Sequence, residues 1–216
     1  YYKGTLLRLY LKFTFSKSNI FLCQGKSFQK FAIEELNFSK SKAPIIPNWT
    51  AKKEHLDIGL CRINNRESNL NNILFLGWLE DAKGIKEILE AANILKLKNY
   101  NFHIKLAGDG SSKNYVNNFI KKNNLEDFIS LVGWVNEIQK KQALKDATIF
   151  LLPSWEEGFP NALVEAMSSG LACIVSNVGM IPDFIKDKQN CILIKPKNIL
   201  QIVTSLEKLF NDLEYK

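Results

Sequence analysis

The sequence has few of the residues that mark metal-binding or disulfide-rich proteins. Its 216 residues include four cysteines and two histidines. No two cysteines form a CxxC pair and no histidine cluster lies beside them, so neither a zinc site nor a disulfide framework is predicted. Cys173 and Cys191 lie within apolar, strand-like stretches, which favours buried free thiols. This use of cysteine is typical of a reducing cytoplasm.

Long apolar runs are missing too. No apolar stretch approaches the roughly 20 residues that a helix needs to span a bilayer. The first residues lack the basic start, apolar run and cleavage site of a signal peptide. Because the chain does not begin with Met, we expect its start to be a truncation point inside a larger protein.

Acidic residues are scarce in the first third of the chain. Residues 1–70 hold 12 Lys or Arg and 5 Asp or Glu, whereas residues 71–216 hold 17 of each, so the net charge of +7 belongs to the first third. A nucleic-acid groove would need basic residues along the site, but residues 71–216, which carry the motifs below, are neutral, so nucleic acid is not an expected partner. The basic third favours peripheral contact of a cytoplasmic protein with an anionic membrane surface, or it is a solvated surface without a partner.

Strand and helix patterns alternate from residue 71 onwards, and a hydrophobic fraction of 46% supports a buried core. The predicted strands are 72–77, 101–108, 129–133, 148–153, 171–176 and 191–195. The predicted helices are 84–97, 112–123, 136–147, 160–169 and 198–212, with a short helical turn at 181–186. Such alternation predicts an α/β fold in which helices cover both faces of a Rossmann-like parallel sheet.

The first 70 residues have a different pattern. Helices are predicted over 5–16 and 26–37, and strands over 18–23 and 43–47. Residues 48–70 lack clear periodicity, which indicates a domain boundary. We therefore predict the end of one domain over 1–49, a linker over 50–70 and a second domain over 71–216.

The stretch PSWEEGFPNALVEAMSSG (153–170) follows a predicted buried strand and opens a helix. If nearly all of it is helical, Glu157 and Glu165 lie about 12 Å apart. That separation suits a ligand with hydroxyl groups at both ends, since carboxylates accept strong hydrogen bonds from hydroxyls. Residues 158–162 form the predicted helix start, whose unpaired N–H groups suit a phosphate. Gly158 would let the backbone approach a ligand, and Pro160 fits the first turn.

This stretch resembles the signature of family 4 retaining glycosyltransferases with the GT-B fold. EGFPNALVEAMSSG matches nearly throughout, and SNVGMIPDFI resembles the segment that follows, with Met180 for a usual Gly and Asp183 for a usual Glu. FLGWLEDAKG resembles the family's Gly-Arg…Lys-Gly motif, with Trp78 in place of Arg. LAGDG (106–110) and LVGWVN (131–136) resemble the turn near the donor and the segment that reads the nucleotide base.

The resemblance implies residue roles for a donor-binding domain. Glu157 and Lys83 are the expected catalytic residues: Glu157 positions the sugar hydroxyls, and Lys83 neutralises the diphosphate. The other expected donor contacts are Gly77, Gly108, Trp134, Val135, Gly158, Phe159, Pro160, Asn161, Ala162, Leu163 and Glu165. Glu165 would hold the ribose, and Trp134 would either stack on the base or belong to the core. His55 and His103 are expected to be structural or exposed.

The implied activity is transfer of a sugar, with retention of configuration, from a UDP- or GDP-linked donor to a glycan or lipid-linked acceptor. No cofactor or metal is expected, and polysaccharide or lipopolysaccharide synthesis is the implied process. Residues 1–49 then end a Rossmann-like acceptor domain, and the donor domain is incomplete at Lys216. Three alternatives remain open: a nucleotide-sugar epimerase, a non-catalytic nucleotide-sugar-binding module and a dinucleotide dehydrogenase, although FLGWLEDAKG lacks the GxGxxG that the last requires.

Overall fold

Six short apolar segments form one sheet. The structure, a computed structural model, describes residues 5–47, 50–64 and 71–211. The strands are β1 (Asn72–Leu76), β2 (His103–Ala107), β3 (Ile129–Gly133), β4 (Ile149–Leu152), β5 (Ala172–Ser176) and β6 (Ile192–Ile194). They lie in the order β3-β2-β1-β4-β5-β6, and every neighbouring pair is parallel. All six strands were predicted, and each observed strand is at most three residues shorter than its prediction.

Helices join the strands and cover both faces of the sheet. Those after residue 71 are α4 (Ile85–Leu97), α5 (Lys113–Lys122), α6 (Glu137–Asp146), α7 (Asn161–Ser168), α8 (Ile181–Phe184) and α9 (Ile199–Asn211). α4 packs against α9. The central strands are buried on both faces, and all four residues of β4 are buried, because parallel strands with helices on either side have no face towards water. The predicted α/β fold is confirmed.

The strand order reverses between β1 and β4. From β1 the chain runs outwards to β2 and β3, and then returns across the sheet to β4 on the other side of β1. Helices before and after this point leave the sheet in opposite directions, which opens a crevice at the carboxyl ends of the strands. The loops that follow β1 and β4 carry the two segments with the strongest sequence signature.

Residues 5–47 contain a hydrophobic cluster of their own. They contain α1 (Thr5–Ser16) and α2 (Lys26–Glu34). The predicted strands at 18–23 and 43–47 are reduced to one parallel bridge between Cys23 and Ile45, because no third strand extends the ladder among the described residues. The cluster is separate from the core of the sheet and contains Cys23, Ala32, Leu36, Phe38 and Ala43.

The predicted linker, residues 50–70, contains a helix that the sequence pattern did not show, and its role as a domain boundary stays a prediction. Helix α3 (Lys53–Asn64) packs against α7. Its periodicity is hard to see because Leu56 and Leu60 lie on the exposed side, with 54% and 60% of their surface accessible. His55 and Ile58 face the protein interior instead. Residues 48–49, 65–70 and 212–216 lie outside the described residues, and with them parts of the predicted boundary and of the last predicted helix.

Arg62 fastens α3 to the ends of α6 and α7. Its Nε donates to the carbonyl oxygen of Ser169 over 2.9 Å, and its Nη2 donates to those of Leu144 and Lys145. These carbonyls lie at the carboxyl ends of α6 and α7, where helices leave acceptors unpaired and favour a positive charge. The helix is therefore part of the folded unit that carries the sheet.

We expect Arg62→Ala to lower the free energy of unfolding by about 2 kcal/mol, because charged hydrogen bonds to three helix-end carbonyls are lost. Arg62→Lys should recover part of this loss, since a single ammonium cannot reproduce the forked geometry. Urea unfolding followed by circular dichroism measures the difference, with exposed Lys122→Ala as the control. Equal stability of Arg62→Ala and the control would mean that α3 is only loosely attached.

None of the helices in the described ranges is long and apolar enough to cross a membrane.

Candidate functional site

A cavity of about 530 Å³ opens at the carboxyl ends of β1 to β4. The loops after these strands supply most of its wall, as expected at the point where the strand order reverses. Its lining residues are Thr50, Leu76, Gly77, Trp78, Lys83, Ala107, Gly108, Trp134, Val135, Glu137, Lys140, Leu152, Glu157, Phe159, Pro160, Asn161, Ala162 and Glu165. The lining thus includes every predicted site residue except Gly158 and Leu163.

Glu157 lies at the inner end of this cavity in a fixed position. Its Oε1 accepts a hydrogen bond from the Lys83 Nζ over 2.8 Å and another from the Ser154 Oγ over 2.7 Å. The carboxylate side chain is only 8% exposed and Lys83 is 25% exposed. Both contacts fall on one oxygen, and Oε2 has no partner among the described residues. That oxygen can accept a hydrogen bond from a ligand hydroxyl.

The loop that carries Glu157 is tied to the turn that carries Lys83. The Trp155 N–H donates to the carbonyl oxygen of Ala82 over 2.8 Å, and the Trp155 indole donates to the Glu87 Oε1 over 3.0 Å. The turn itself is a short 3₁₀ helix, Asp81–Lys83. These links keep the Lys83 ammonium and the Glu157 carboxylate together, although the two residues are 74 positions apart in the sequence.

A second segment supports the same loop from the other side. The Met180 N–H donates to the carbonyl oxygen of Gly158, and a side chain added at Gly179 would overlap the carbonyl oxygen of Glu157. Asp183 accepts hydrogen bonds from the N–H and hydroxyl groups of Ser27, over 3.0 and 3.2 Å. A carboxylate is favourable there, at the first turn of α2. SNVGMIPDFI thus contacts both the Glu157 loop and the first part of the chain.

Glu165 lines another part of the cavity and is also paired. Its Oε1 accepts from the Lys140 Nζ over 2.9 Å, and Lys140 also bonds Glu137 over 3.0 Å. Hydrogen bonds from Lys52 and Lys140 lower the pKa of Glu137 to about 2. Burial disfavours the charged form of Lys140, but its bonds to Glu165 and Glu137 outweigh burial and raise its pKa. Lys140 therefore stays charged beside the predicted ribose contact.

The start of α7 differs from the prediction. The helix begins at Asn161 with Pro160 as its N-cap, so residues 157–160 are not helical and the separation of about 12 Å does not follow from helix geometry. Leu163 is fully buried and its N–H donates to the Pro160 carbonyl oxygen, so its side chain does not face the cavity and its role as a donor contact stays a prediction. The Ala162 N–H has no partner among the described residues and remains available at the helix tip.

Glycines shape the space at the ends of β1 and β2. A side chain added at Gly108 would overlap the carbonyl oxygen of Gly77, whereas one added at Gly158 would meet no atom within 4 Å. The close contact between Gly77 and Gly108 brings two loops together below the cavity. The open side of Gly158 leaves its backbone accessible, although it does not line the cavity.

Trp134 is not a core residue. Trp134 and Trp78 have 66% and 53% of their surface exposed. Their ring centroids lie 5.3 Å apart, with 45° between the ring planes. The core alternative for Trp134 is therefore wrong, while base stacking stays a prediction.

Neither histidine lines the cavity. His55 is buried on α3, its Nδ1 accepts from the Lys52 N–H, and burial lowers its pKa. His103 begins β2 and so lies at the amino ends of the strands, opposite the cavity. Cys173 and Cys191 are free and buried, as predicted. Among the described residues no group of three or more His, Cys, Asp and Glu side chains could hold a metal ion, and independence from metals stays a prediction.

Sequence reasoning missed Ser154, Lys140, Glu137 and Thr50. Ser154 and Glu157 are only three residues apart in one loop, but no motif in the sequence indicated that their side chains would meet. Glu137 and Lys140 are three residues apart on one helix, but surface helices commonly carry such pairs. No local signal showed that Lys140 reaches Glu165.

Known proteins share this fold and sequence pattern. The model of the family described as glycosyl transferases group 1 matches residues 61–216. The chain belongs to this family. It is 29% identical over 196 residues to an uncharacterised glycosyltransferase of Methanocaldococcus jannaschii, a match covering 87% of this chain and 50% of that protein.

Two further relatives show the extent of the likeness. A UDP-Gal:alpha-D-GlcNAc-diphosphoundecaprenol alpha-1,3-galactosyltransferase of Escherichia coli is 29% identical over 200 residues, covering 88% of this chain and 51% of that protein. The crystal structure of Anabaena Alr3699/HepE in complex with UDP superposes with a TM-score of 0.80 at 17% identity, covering 100% of this chain and 60% of that one. This group 1 chain therefore spans about half the length of the curated relatives it matches. The expected family and the GT-B fold class are both confirmed.

Proposed function

We propose that the protein containing this chain transfers a sugar from a nucleoside diphosphate sugar to an acceptor hydroxyl, with retention of anomeric configuration. The observation that carries the proposal is one cavity lined by Glu157, Lys83, Glu165 and the start of α7. Both carboxylates keep an oxygen without a partner among the described residues. Family membership supports the reaction class, and the activity belongs to the whole protein.

The donor carries hydroxyl groups at both ends, and we assign one carboxylate to each end. Glu157 would accept hydrogen bonds from the sugar hydroxyls, and Glu165 from the ribose, because charged acceptors bind vicinal hydroxyls strongly. The diphosphate would lie between them, near Lys83 and the N–H of Ala162. Helix starts favour such anions through their unpaired N–H groups.

Catalysis would depend on charge that develops on the leaving diphosphate. As the sugar–oxygen bond breaks, the anomeric carbon gains oxocarbenium character and negative charge grows on the phosphate oxygens. Lys83 would stabilise that charge while it remains paired with Glu157, because groups fixed before the reaction need no reorganisation. No metal is required in this proposal.

The proposal for the donor nucleotide and the acceptor is made by analogy with one relative. The Escherichia coli relative is named for a UDP-galactose donor and a diphosphoundecaprenol-linked acceptor. We propose a UDP-linked donor, with GDP as the alternative, and a lipid-linked glycan acceptor in cell-surface polysaccharide or lipopolysaccharide synthesis. The basic first third and the exposed Leu9, Tyr10 and Phe13 of α1 support peripheral contact with the inner face of a membrane.

Calorimetric titration of this chain with UDP and GDP tests the proposal. We expect one of them to bind weakly, with a dissociation constant between about 0.1 and 1 mM, while sugar transfer is negligible. Glu165→Gln should weaken binding about tenfold, because a neutral amide replaces the charged ribose acceptor. Exposed Glu126→Gln is the matched control. If neither nucleotide produces heat, the assignment of the donor site is wrong.

A further inference from the structure

Four side chains of alternating charge form a network that runs from the residue before α3 into the cavity. The Lys52 Nζ donates to the Glu137 Oε2 over 3.0 Å. The Lys140 Nζ donates to the Glu137 Oε1 over 3.0 Å and to the Glu165 Oε1 over 2.9 Å. Lys52 and Glu137 have 61% and 67% of their side chains exposed, whereas Lys140 and Glu165 have 19% and 10%. The inner pair, Lys140 and Glu165, is therefore the part that is shielded from water.

Stability alone gives little reason for the inner pair. Removing an ammonium and a carboxylate from water costs free energy that their attraction only partly offsets, so a buried ion pair adds little net stability. The pair also joins two helices, since Lys140 lies on α6 and Glu165 on α7. Both side chains line the cavity, so a ligand that occupies this cavity can reach them.

The inner pair offers one unused donor beside one unused acceptor. An ammonium group has three N–H donors, and the contacts with Glu137 and Glu165 use two of those on Lys140. The third N–H and the Glu165 Oε2 have no partner among the residues that the structure describes. A ligand hydroxyl can both donate and accept. Two neighbouring hydroxyls can therefore donate to Glu165 and accept from Lys140 at the same time.

On the basis of the proposed function, we infer that Lys140 is the residue that makes donor binding selective for the ribose hydroxyls. It has two effects: it holds Glu165 in one position, and it supplies a hydrogen-bond donor that a carboxylate lacks. Glu137 and Lys52 hold Lys140 in turn. A nucleotide without these hydroxyls leaves the shielded donor and acceptor unpaired. A site built to bond hydroxyls rejects such a ligand, because unpaired polar groups out of contact with water are costly.

The test compares UDP with 2′,3′-dideoxy-UDP, which keeps the base and the diphosphate but lacks both ribose hydroxyls. We expect the unaltered chain to bind UDP at least about tenfold more tightly, because the dideoxy ligand loses hydrogen bonds to charged groups. Lys140→Met keeps the length of the side chain without its charge. It should weaken UDP binding about tenfold and dideoxy-UDP binding less than about threefold, since only a distant charge is lost for that ligand. Titration followed by NMR measures both dissociation constants.

Further variants separate this effect from loss of charge and loss of structure. Lys141→Met removes the same charge from the next residue, which is 50% exposed, bonds Glu54 and does not line the cavity, so it should leave the selectivity unchanged. Lys140→Arg keeps the charge and should recover part of the selectivity, although its planar fork differs in geometry from an ammonium. Adding Lys140→Met to Glu165→Gln should cost less than the product of the two single effects, because both side chains act on the same hydroxyls.

The outcomes distinguish this inference from the proposed function. If Lys140→Met weakens both ligands equally, or binds UDP as tightly as the unaltered chain does, the role of Lys140 is refuted while the donor site stands. An equal loss of selectivity in Lys141→Met would also refute it, because the effect would then be one of general charge. If the unaltered chain binds UDP and dideoxy-UDP equally well, neither Lys140 nor Glu165 selects the ribose. Absence of any UDP binding overturns the proposed function as well.

Discussion

Glu157→Ala in the complete protein is expected to lower the rate of sugar transfer at least about 100-fold, comparable to the loss of a group that stabilises a transition state. Two effects combine in this variant. The sugar loses the carboxylate that would hold its hydroxyl groups, and Lys83 loses the partner that fixes its position 2.8 Å away. Donor turnover measured by release of the nucleoside diphosphate gives the change in rate.

The neighbouring carboxylate provides the control. Glu156 is exposed and does not line the cavity, so Glu156→Ala changes the net charge identically without altering the site. Its activity should remain within about twofold of that of the unaltered enzyme. The unfolding transition of Glu157→Ala should stay cooperative, because Lys83 keeps 25% of its side-chain surface exposed and water can solvate its ammonium once the partner is removed. Undiminished transfer in Glu157→Ala would remove this residue from the reaction.

Gly84→Ala is expected to destabilise the fold by about 2–5 kcal/mol, the sum of left-handed backbone strain and of forced overpacking. Gly84 has φ of 74°, and a Cβ there would overlap the carbonyl oxygen of Pro153. This contact joins the turn that holds Lys83 to the loop that holds Glu157, so nucleotide binding should weaken as well. Urea unfolding and UDP titration measure the two effects.

Gly133 has nearly the same backbone conformation without the contact. Its φ is 73°, and an added Cβ would meet no atom within 4 Å. Gly133→Ala should therefore cost only about 1–2 kcal/mol, from strain alone. The difference between the two variants isolates the packing of Gly84 against Pro153. Equal losses in both would show that the loops can separate without cost.

Local patterns predicted the elements of the sheet well. β1 to β6 and the helices between them follow from apolar segments of strand length alternating with amphipathic ones, since strands and helices differ in the spacing of their buried residues. The motif EGFPNALVEAMSSG also indicated where the site lies, because it follows a buried strand and in parallel sheets ligands bind at that end.

Residue patterns in the sequence did not predict the structure correctly where contacts with distant residues decide which side of a helix is buried. The linker prediction missed α3 because Leu56 and Leu60 are exposed, so its apolar spacing does not mark the buried face. Burial is decided in the same way at Leu163, whose side chain lies in the core although it belongs to the first turn of α7.

Strand alternation and a continuous motif of short range were enough to establish the α/β fold, the family and the location of Glu157 and Glu165. Only the tertiary structure decided which charges meet. The pairing of Lys83 with Glu157 joins residues 74 positions apart, and that of Lys140 with Glu165 joins residues 25 positions apart. The meeting of Trp78 with Trp134 depends on the order of β1, β2 and β3. Such contacts arise because the chain topology brings the carboxyl ends of separate strands together. The spacing of residues within any one strand does not reveal which strands will be neighbours.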